Sequence, residues 1–432
     1  MNKGVIIVLG IVILVGLFFS FSGNSLYLAP KQISPNSAPA VVAPAITAPP
    51  TSAGPVSVAP YCTTPASILQ HQGINGFSVF GRTLVFSRPP SSDKLEFYDA
   101  GPDERFNTAD DLGTVQAVTF PINSLIGSPK MSGPNIIFTD YDLTVGRRSL
   151  RIYSVGSDGI AGTMDDIGPS TIFTAPNNAN VMEGISSYSI DGDLVTFTST
   201  NTSPFNPIST FYQCVADANS QGTCWTSTPQ QMTQSVTSMY GVSSFDGLTL
   251  PTTGLNSYFW IFRNTIAGGA NRYNLYYLDQ VTQQQGVLWN RPLTSNQNIN
   301  DVSFPYVMVQ EENPIMSGTG RIFIGDPYSS SATQISPNSI PGATSFSDLG
   351  GAIGKQASNN GDQLLAWMRS TGTGTTSAWE AVVSSYPSHR GEEINLVSGT
   401  GTLPGRFFID IDKNSIIYSD LNDIYSAECY FN

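Results

Sequence analysis

Short runs of β-branched and aromatic residues recur along this chain at spacings of 47 to 65 residues: TLVF ending at Phe86, NIIF at Phe138, LVTF at Phe197, FWIF at Phe262, YVMV at Val309, LLAW at Trp367 and SIIY at Tyr418. Each of the seven is followed by a second strand-like run: KLEFYD, SLRIYS, STFYQC, YNLYYL, GRIFIG, AWEAVV and DIYSAE. A repeat of this length built only of strands predicts a β-propeller, because a four-stranded sheet cannot bury both faces alone and stacks radially against its copies. Six repeats carry an internal fourth run, VQAVTF, STIFTA, CWTSTP, GVLWNR, ATQIS and INLVS, whereas the last ends at Asn432 without one. Residues 61–69 are expected to supply it, closing the ring and removing the exposed edge of the last sheet. The fold class is therefore all-β, a seven-bladed propeller over 61–432 closed by its N-terminal strand.

Upstream, the pattern changes twice. Residues 5–21, VIIVLGIVILVGLFFSF, are a continuous apolar run with Lys3 before it, near the lower limit for spanning a bilayer core of about 20 residues. Residues 1–28 are read as a hydrophobic helical anchor or signal with its amino terminus in the cytoplasm. Lys3-Gly4 before Val5-Ile6 also resembles the class III signal sequence of archaeal pilin-like and binding proteins, although no Glu follows where pilins carry one. That resemblance implies cleavage after the glycine. Residues 29–60 are a linker of Pro, Ala, Ser and Thr that cannot pack a core and is held near polyproline II as a semi-rigid stalk. Every one of these readings exports the propeller, to the extracellular face of the membrane or as a secreted protein.

The net charge of −13, with Lys and Arg scattered, excludes a nucleic-acid partner, whose phosphates demand clustered cations. In an oxidising compartment the four cysteines are expected to pair. Cys214 and Cys224 flank an Asn/Ser/Gln/Gly turn in FYQCVADANSQGTCWTSTP; Cys62 and Cys429, remote in sequence, repeat the two halves of that pattern, so the repeat register pairs them too. Asn201-Thr202-Ser203 is the one glycosylation sequon.

Candidate chemistry concentrates in two acidic loops. YDAGPDERFNTADDLG at 98–113 and YSVGSDGIAGTMDDIG at 153–168 align without a gap, matching Asp103 with Asp158, Asp110 with Asp165 and Asp111 with Asp166. Three carboxylates separated by turn formers suit a hard, oxygen-preferring cation, and calcium is the expected cofactor. The competing reading is an acidic hairpin whose Asp and Gly residues serve only the turn. Catalytic patterns are missing: His71 and His389 lie in no recognisable neighbourhood, no nucleophile elbow or zinc spacing occurs, and Glu311, Glu312, Glu392 and Glu393 are not placed together by the sequence. SIDGD at 189–193 reads as a turn between inner strands. The five tryptophans fall in expected strands, where packing explains them; any at the rim can stack on a sugar.

The unit SGPNIIFTDYDLTVGRRSLRIYSVGSDGIAGTMDD, with IDIDKNSIIYSDLNDIYSAE later, resembles the TolB-like propeller repeats of secreted and surface proteins. The first, second, third and seventh repeats match recognisably and the fourth to sixth have drifted. The resemblance implies an extracytoplasmic platform for surface proteins or glycans and no catalytic set. The expected function is thus a membrane-tethered, non-enzymatic surface-recognition or envelope-structure module. A glycan-directed hydrolase or lyase on the same scaffold, and a surface-filament subunit self-assembled through the hydrophobic N-terminus, are the alternatives.

Overall fold

The computed structural model describes residues 60–70, 74–88, 94–114, 118–120, 124–178, 181–201, 208–217, 222–226, 229–237, 242–250, 255–265, 271–279, 284–290, 296–303, 305–312, 319–326, 331–357, 361–373, 376–401, 407–420 and 423–431, with side chains undescribed over 233–297. The anchor and all but the last residue of the linker lie outside these residues, as do His71, Thr202 and Ser203 of the sequon. Among the described residues no helix is long and apolar enough to cross a membrane. Ser57–Asn432 forms one compact unit.

Among the described residues of that unit, all regular structure is antiparallel β. The described strands pair into seven sheets of four or five strands each. The first sheet runs Gly76–Phe80, Thr83–Ser87, Lys94–Asp99 and the split outer strand Gly113–Thr114 and Val118–Thr119; the second runs Lys130–Ser132 with Ser124–Ile126, Asn135–Asp142, Arg147–Ser154 and Ile167–Thr174. The third centres on Val181–Asp191, Leu194–Asn201 and Ile208–Val215, and the last on Phe407–Asp412, Ser415–Asp420 and Asp423–Tyr430. The first strand of each sheet lies against the first strand of the next, through Val242–Leu250, Asn296–Ser303, Ser345–Ile353 and Phe407–Asp412, which returns to Gly76–Phe80. The chain is an all-β propeller.

The recurring apolar runs occupy the second strand of every sheet. Leu84, Val85 and Phe86, Ile136, Ile137 and Phe138, and Leu364 to Trp367 are completely buried. Consecutive residues point to opposite faces, so burial of both neighbours means the sheet is covered on both sides. Accordingly Val85, Leu95 and Phe97 share a core with Ile136, Phe138 and Tyr153 of the second sheet, while Leu84 and Phe86 join Ile417 and Ile424 of the last.

Polar bonds join the inner strands across the sheet boundaries. Asp410 Oδ2 accepts from Val79 N at 2.9 Å and from Ser78 Oγ at 2.7 Å, and Ser78 Oγ in turn accepts from Met131 N at 3.0 Å. Lys355, from beyond Ser345–Ile353, donates to Asp410 Oδ2 at 2.7 Å and to Val79 O at 2.5 Å, tying three sheets together.

At the seam, Tyr61 pairs with Tyr430 and Cys62 with Cys429, and Ala66–Gln70 continues along Asp423–Ser426. The Cys62–Cys429 disulfide locks this outer strand, and Cys214–Cys224 forms a second bridge.

One strand departs from expectation. The start of CWTSTP, residues 224–226, is a turn, with Cys224 N donating to Val215 O at 3.1 Å and Trp225 N to Gly222 O at 3.1 Å; the fourth strand of that sheet is Gln230–Thr237. The turn is this tight because Gly222 has no side chain: a Cβ there would meet Val215 O at 2.0 Å. Trp225 thus belongs to a turn, its indole donating to Asp217 O at 2.9 Å.

Candidate functional site: the acidic corners

In the first, second, third and last sheets, a two-residue turn joins the first and second strands, opening with a residue of positive φ: Gly81 at 54°, Gly133 at 57°, Gly192 at 56° and Lys413 at 51°. The carbonyl of the second turn residue, Arg82, Pro134, Asp193 or Asn414, accepts a backbone bond from Ala100, Val155, Ala216 or Cys429. This shared contact sets where the third strand ends and its outgoing connection begins. The two acidic loops leave from two of these corners, and the two disulfides close the other two.

Both loops have one internal design. Asp103 Oδ1 accepts from Arg105 N at 2.9 Å, and Asp158 Oδ1 from Ile160 N at 2.8 Å. Asp111 Oδ2 accepts from Asn107 N at 2.7 Å and from the Tyr98 hydroxyl at 2.5 Å; Asp166 Oδ2 accepts from Gly162 N at 2.6 Å and from the Tyr153 hydroxyl. Burial first, then these carboxylates, push both tyrosine hydroxyls well above their usual range. These oxygens are thus satisfied by the loop and its tyrosine, as the hairpin reading requires.

One oxygen of each aspartate converges on a threonine hydroxyl. Around Thr108 Oγ1 lie Asp110 Oδ1 at 2.6 Å, Asp111 Oδ1 at 3.0 Å, Asp103 Oδ1 at 3.5 Å and Arg105 O at 3.1 Å. Thr163 Oγ1 is surrounded the same way, by Asp165 Oδ1 at 2.5 Å, Asp166 Oδ1 at 3.4 Å, Asp158 Oδ1 at 3.5 Å and Ile160 O at 3.1 Å. A hydroxyl has a single proton, best placed for Asp110 Oδ1 or Asp165 Oδ1, while Asp111 Oδ1 also accepts from Thr108 N at 3.1 Å and Asp103 Oδ1 and Asp158 Oδ1 keep their backbone donors. The donor set is all oxygen, matching a hard cation in chemistry. Among the described residues, however, no three His, Cys, Asp or Glu side chains already stand as a formed metal site.

The loops match in backbone where their sequences differ. Glu104 and Asn107 hold φ of 57° and 65°, and the aligned Gly159 and Gly162 hold 69° and 87°. The left-handed positions are the same in both, so the register that sequence comparison reads as substitution is conformationally constant. Phe106, buried against Tyr98 at 6.1 Å, is likewise replaced by buried Ala161.

Gly156 tests how tightly the corner is built. Its φ is 71°, and an added Cβ would lie 2.3 Å from Asp165 Oδ2 and 2.8 Å from Asp165 O, whereas Gly159, at φ 69°, has nothing within 4 Å. Gly159→Ala is expected to cost about 1 to 2 kcal/mol from left-handed strain alone. Gly156→Ala is expected to cost more and to detach Asp165, an order that denaturant midpoints of the two variants will check.

The Thr163 hydroxyl and the amides of Ser157 and Asp158 hold the Asp165 carboxyl down to about 2, against 3.8 for the free group. Thr108 lowers Asp110 in the same way. Because the folded value lies below the unfolded one, the contribution is present above pH 4 and is lost as pH falls toward 2. Protection factors at the Ser157 and Asp158 amides should therefore fall across that window; unchanged protection at pH 2 would refute the assignment.

The other singled-out acids stand apart from the loops. Glu311 is buried on Tyr306–Glu312, Glu393 is bonded to Arg369 in the next sheet, and Glu392 faces His389 at 3.4 Å. Asn201 ends the strand Leu194–Asn201.

No protein-family model matches the chain, and no curated protein matches it in sequence. Among solved structures it is similar to the β-propeller domain of the trilobed protease from Pyrococcus furiosus, with 10% identity over 84% of this chain and 95% of that one and a TM-score of 0.48. It is similar also to TolB from Acinetobacter baumannii, with 14% identity over 78% of this chain and 67% of that one and a TM-score of 0.37. A puromycin-hydrolysing peptidase of Mycobacterium tuberculosis aligns at 11% identity and a TM-score of 0.47, over 82% of this chain and 52% of the peptidase, about half its length. Likeness at these levels concerns fold and carries no activity with it. By its own strand pairing the chain is a β-propeller, and TolB is among the propellers it is similar to.

Proposed function

We propose that this chain is a seven-bladed propeller displayed outside the cell on its proline-rich stalk, tethered by the N-terminal hydrophobic segment or released by its cleavage, and that it works by binding rather than catalysis. The observation that carries this reading is the reinforcement of four consecutive corners on one face: a disulfide on the last sheet, acidic loops on the first and second, a disulfide on the third. Disulfides belong to oxidising compartments, and a stiffened face presents a fixed surface at low entropic cost. Surface proteins or envelope glycans are the partners this platform suits, with glycosylation at Asn201 compatible with the same location.

Calcium at both loops completes the proposal. Asp103, Asp110 and Asp111, and Asp158, Asp165 and Asp166, supply the carboxylates, one oxygen of each already gathered around a threonine hydroxyl. Calorimetry of the full-length chain should show two calcium sites, both lost in Asp110→Asn/Asp165→Asn. No heat at millimolar calcium would leave the loops as acidic turns. For the binding role, cross-linking the full-length chain on cells should recover a surface protein or glycan. Turnover of peptide or polysaccharide substrates, abolished by substituting one of the chain's own acidic residues, would instead establish an enzyme.

A further inference from the structure

Successive strands in each sheet run in opposite directions, so connections from first to second and from third to fourth strands emerge on one face of the ring, and the others on the opposite face. On the first of these faces, each of the four reinforced corners exposes one large apolar side chain: Tyr61 at 47%, Leu112 at 61%, Met164 fully, and Val215 at 44%. The corners are contiguous. Lys413 of the last sheet pairs with Glu104 of the first loop, Thr83 donates to Gly159 O of the second loop at 2.8 Å, and a side chain at Gly168 would meet the Trp225 ring at 3.3 Å. Exposed acids stand at the same corners, Asp103, Asp110 and Asp158 among them, so the arc is acidic when the loops carry no calcium.

The opposite face of the second sheet carries the remaining exposed large hydrophobics among the described residues. Leu143 and Val145, each 54% exposed, form the hairpin tip between the second and third strands, and Leu125, at 41%, lies on the neighbouring strand opposite Tyr141. Arg147 and Arg148 follow, both exposed, while Asp142 is engaged inside the turn by Thr144 N at 2.7 Å. This patch is apolar and basic where the other face is apolar and acidic.

From this complementarity we propose that a second copy of the chain docks head to tail, the hairpin of 143–148 on one molecule seating on the acidic, apolar arc of the next. Pairing like faces would set acidic arc against acidic arc, in a chain whose net charge is already −13. A head-to-tail contact uses two different patches and leaves one of each free, so association continues as an open stack rather than closing at a dimer. Apolar side chains drive the contact, and the charges select its direction.

The test is complementation between two variants of the full-length chain, followed by sedimentation velocity. In calcium-free buffer, wild type should show a weight-average mass that rises with protein concentration and falls with added salt. Arg147→Glu/Arg148→Glu and Leu112→Ser/Met164→Ser should each remain monomeric while keeping the wild-type melting temperature. An equimolar mixture of the two, having one intact patch of each kind, should form a dimer and nothing larger. Leu143→Ser/Val145→Ser should reproduce the arginine variant and serves if that one folds poorly. A monomeric wild type, variants that associate as wild type does, or a mixture that stays monomeric or grows beyond the dimer would each overturn the proposal.

Discussion

Replacing Arg369 with Met lowers stability by about 3 to 5 kcal/mol, the cost of leaving a buried carboxylate without its partner. Arg369 is 2% exposed at its side chain and Asp348 not at all, with Nε to Oδ1 at 2.7 Å. The same guanidinium holds Glu393 through two bonds, at 2.6 and 2.9 Å, and reaches Glu380 at 3.4 Å. Burial pushes the Asp348 carboxyl up, and the Arg369 bond opposes that shift. Asp348→Asn combined with Arg369→Met should recover part of the loss, since the penalty lies chiefly in the stranded charge. Urea midpoints for wild type, the single variant and the double variant measure both effects. A single-variant loss under about 1 kcal/mol would mean that water reaches the cluster and that the ion pair is a surface one.

Removing the Cys62–Cys429 bridge has an effect of similar size for a different reason. The sequence separation is 367 residues, against 10 for Cys214–Cys224. Loop-closure entropy assigns the long bridge about 6 kcal/mol and the short one about 2.7 kcal/mol. Cys62→Ser should therefore depress the midpoint about twice as far as Cys214→Ser, and should raise hydrogen exchange over 61–70 and 423–430 together. Equal losses for the two would show that the outer strand is held by its ladder and apolar contacts, with the cystine adding little.

The propeller is legible in the sequence because its most regular signal has a single cause. Second strands are covered on both sides, so TLVF, NIIF and SIIY appear as unbroken apolar runs. Outer strands are half solvated and carry no such mark. Gln230–Thr237, QQMTQSVT, is mostly polar, and the more strand-like CWTSTP before it begins in a turn at 224–226. The acidic register was visible as aligned aspartates, but the equivalence of Glu104 with Gly159 and of Asn107 with Gly162 was not, because φ is not written in residue type when Glu or Asn takes a glycine-like conformation. The Arg369 cluster was equally hidden: Asp348, Arg369 and Glu393 are distant in sequence and meet only when three strands and a turn come into register.

The seam has a consequence for how the molecule is made. Asp410 bonds to Val79, and Cys62 pairs with Cys429, so the first strands to emerge in synthesis must wait for the last before either is complete. Such distant pairings fold slowly, because the chain gives up loop entropy before any contact repays it. Until then Asp423–Tyr430 presents an unpaired edge, and residues 61–70 have no sheet to join. Refolding should thus be limited by formation of the last sheet, and aggregation should compete during that interval in proportion to protein concentration. A circular permutant that made residues 61–70 directly after Asp423–Tyr430 would shorten the wait by turning the slowest encounter into a local one.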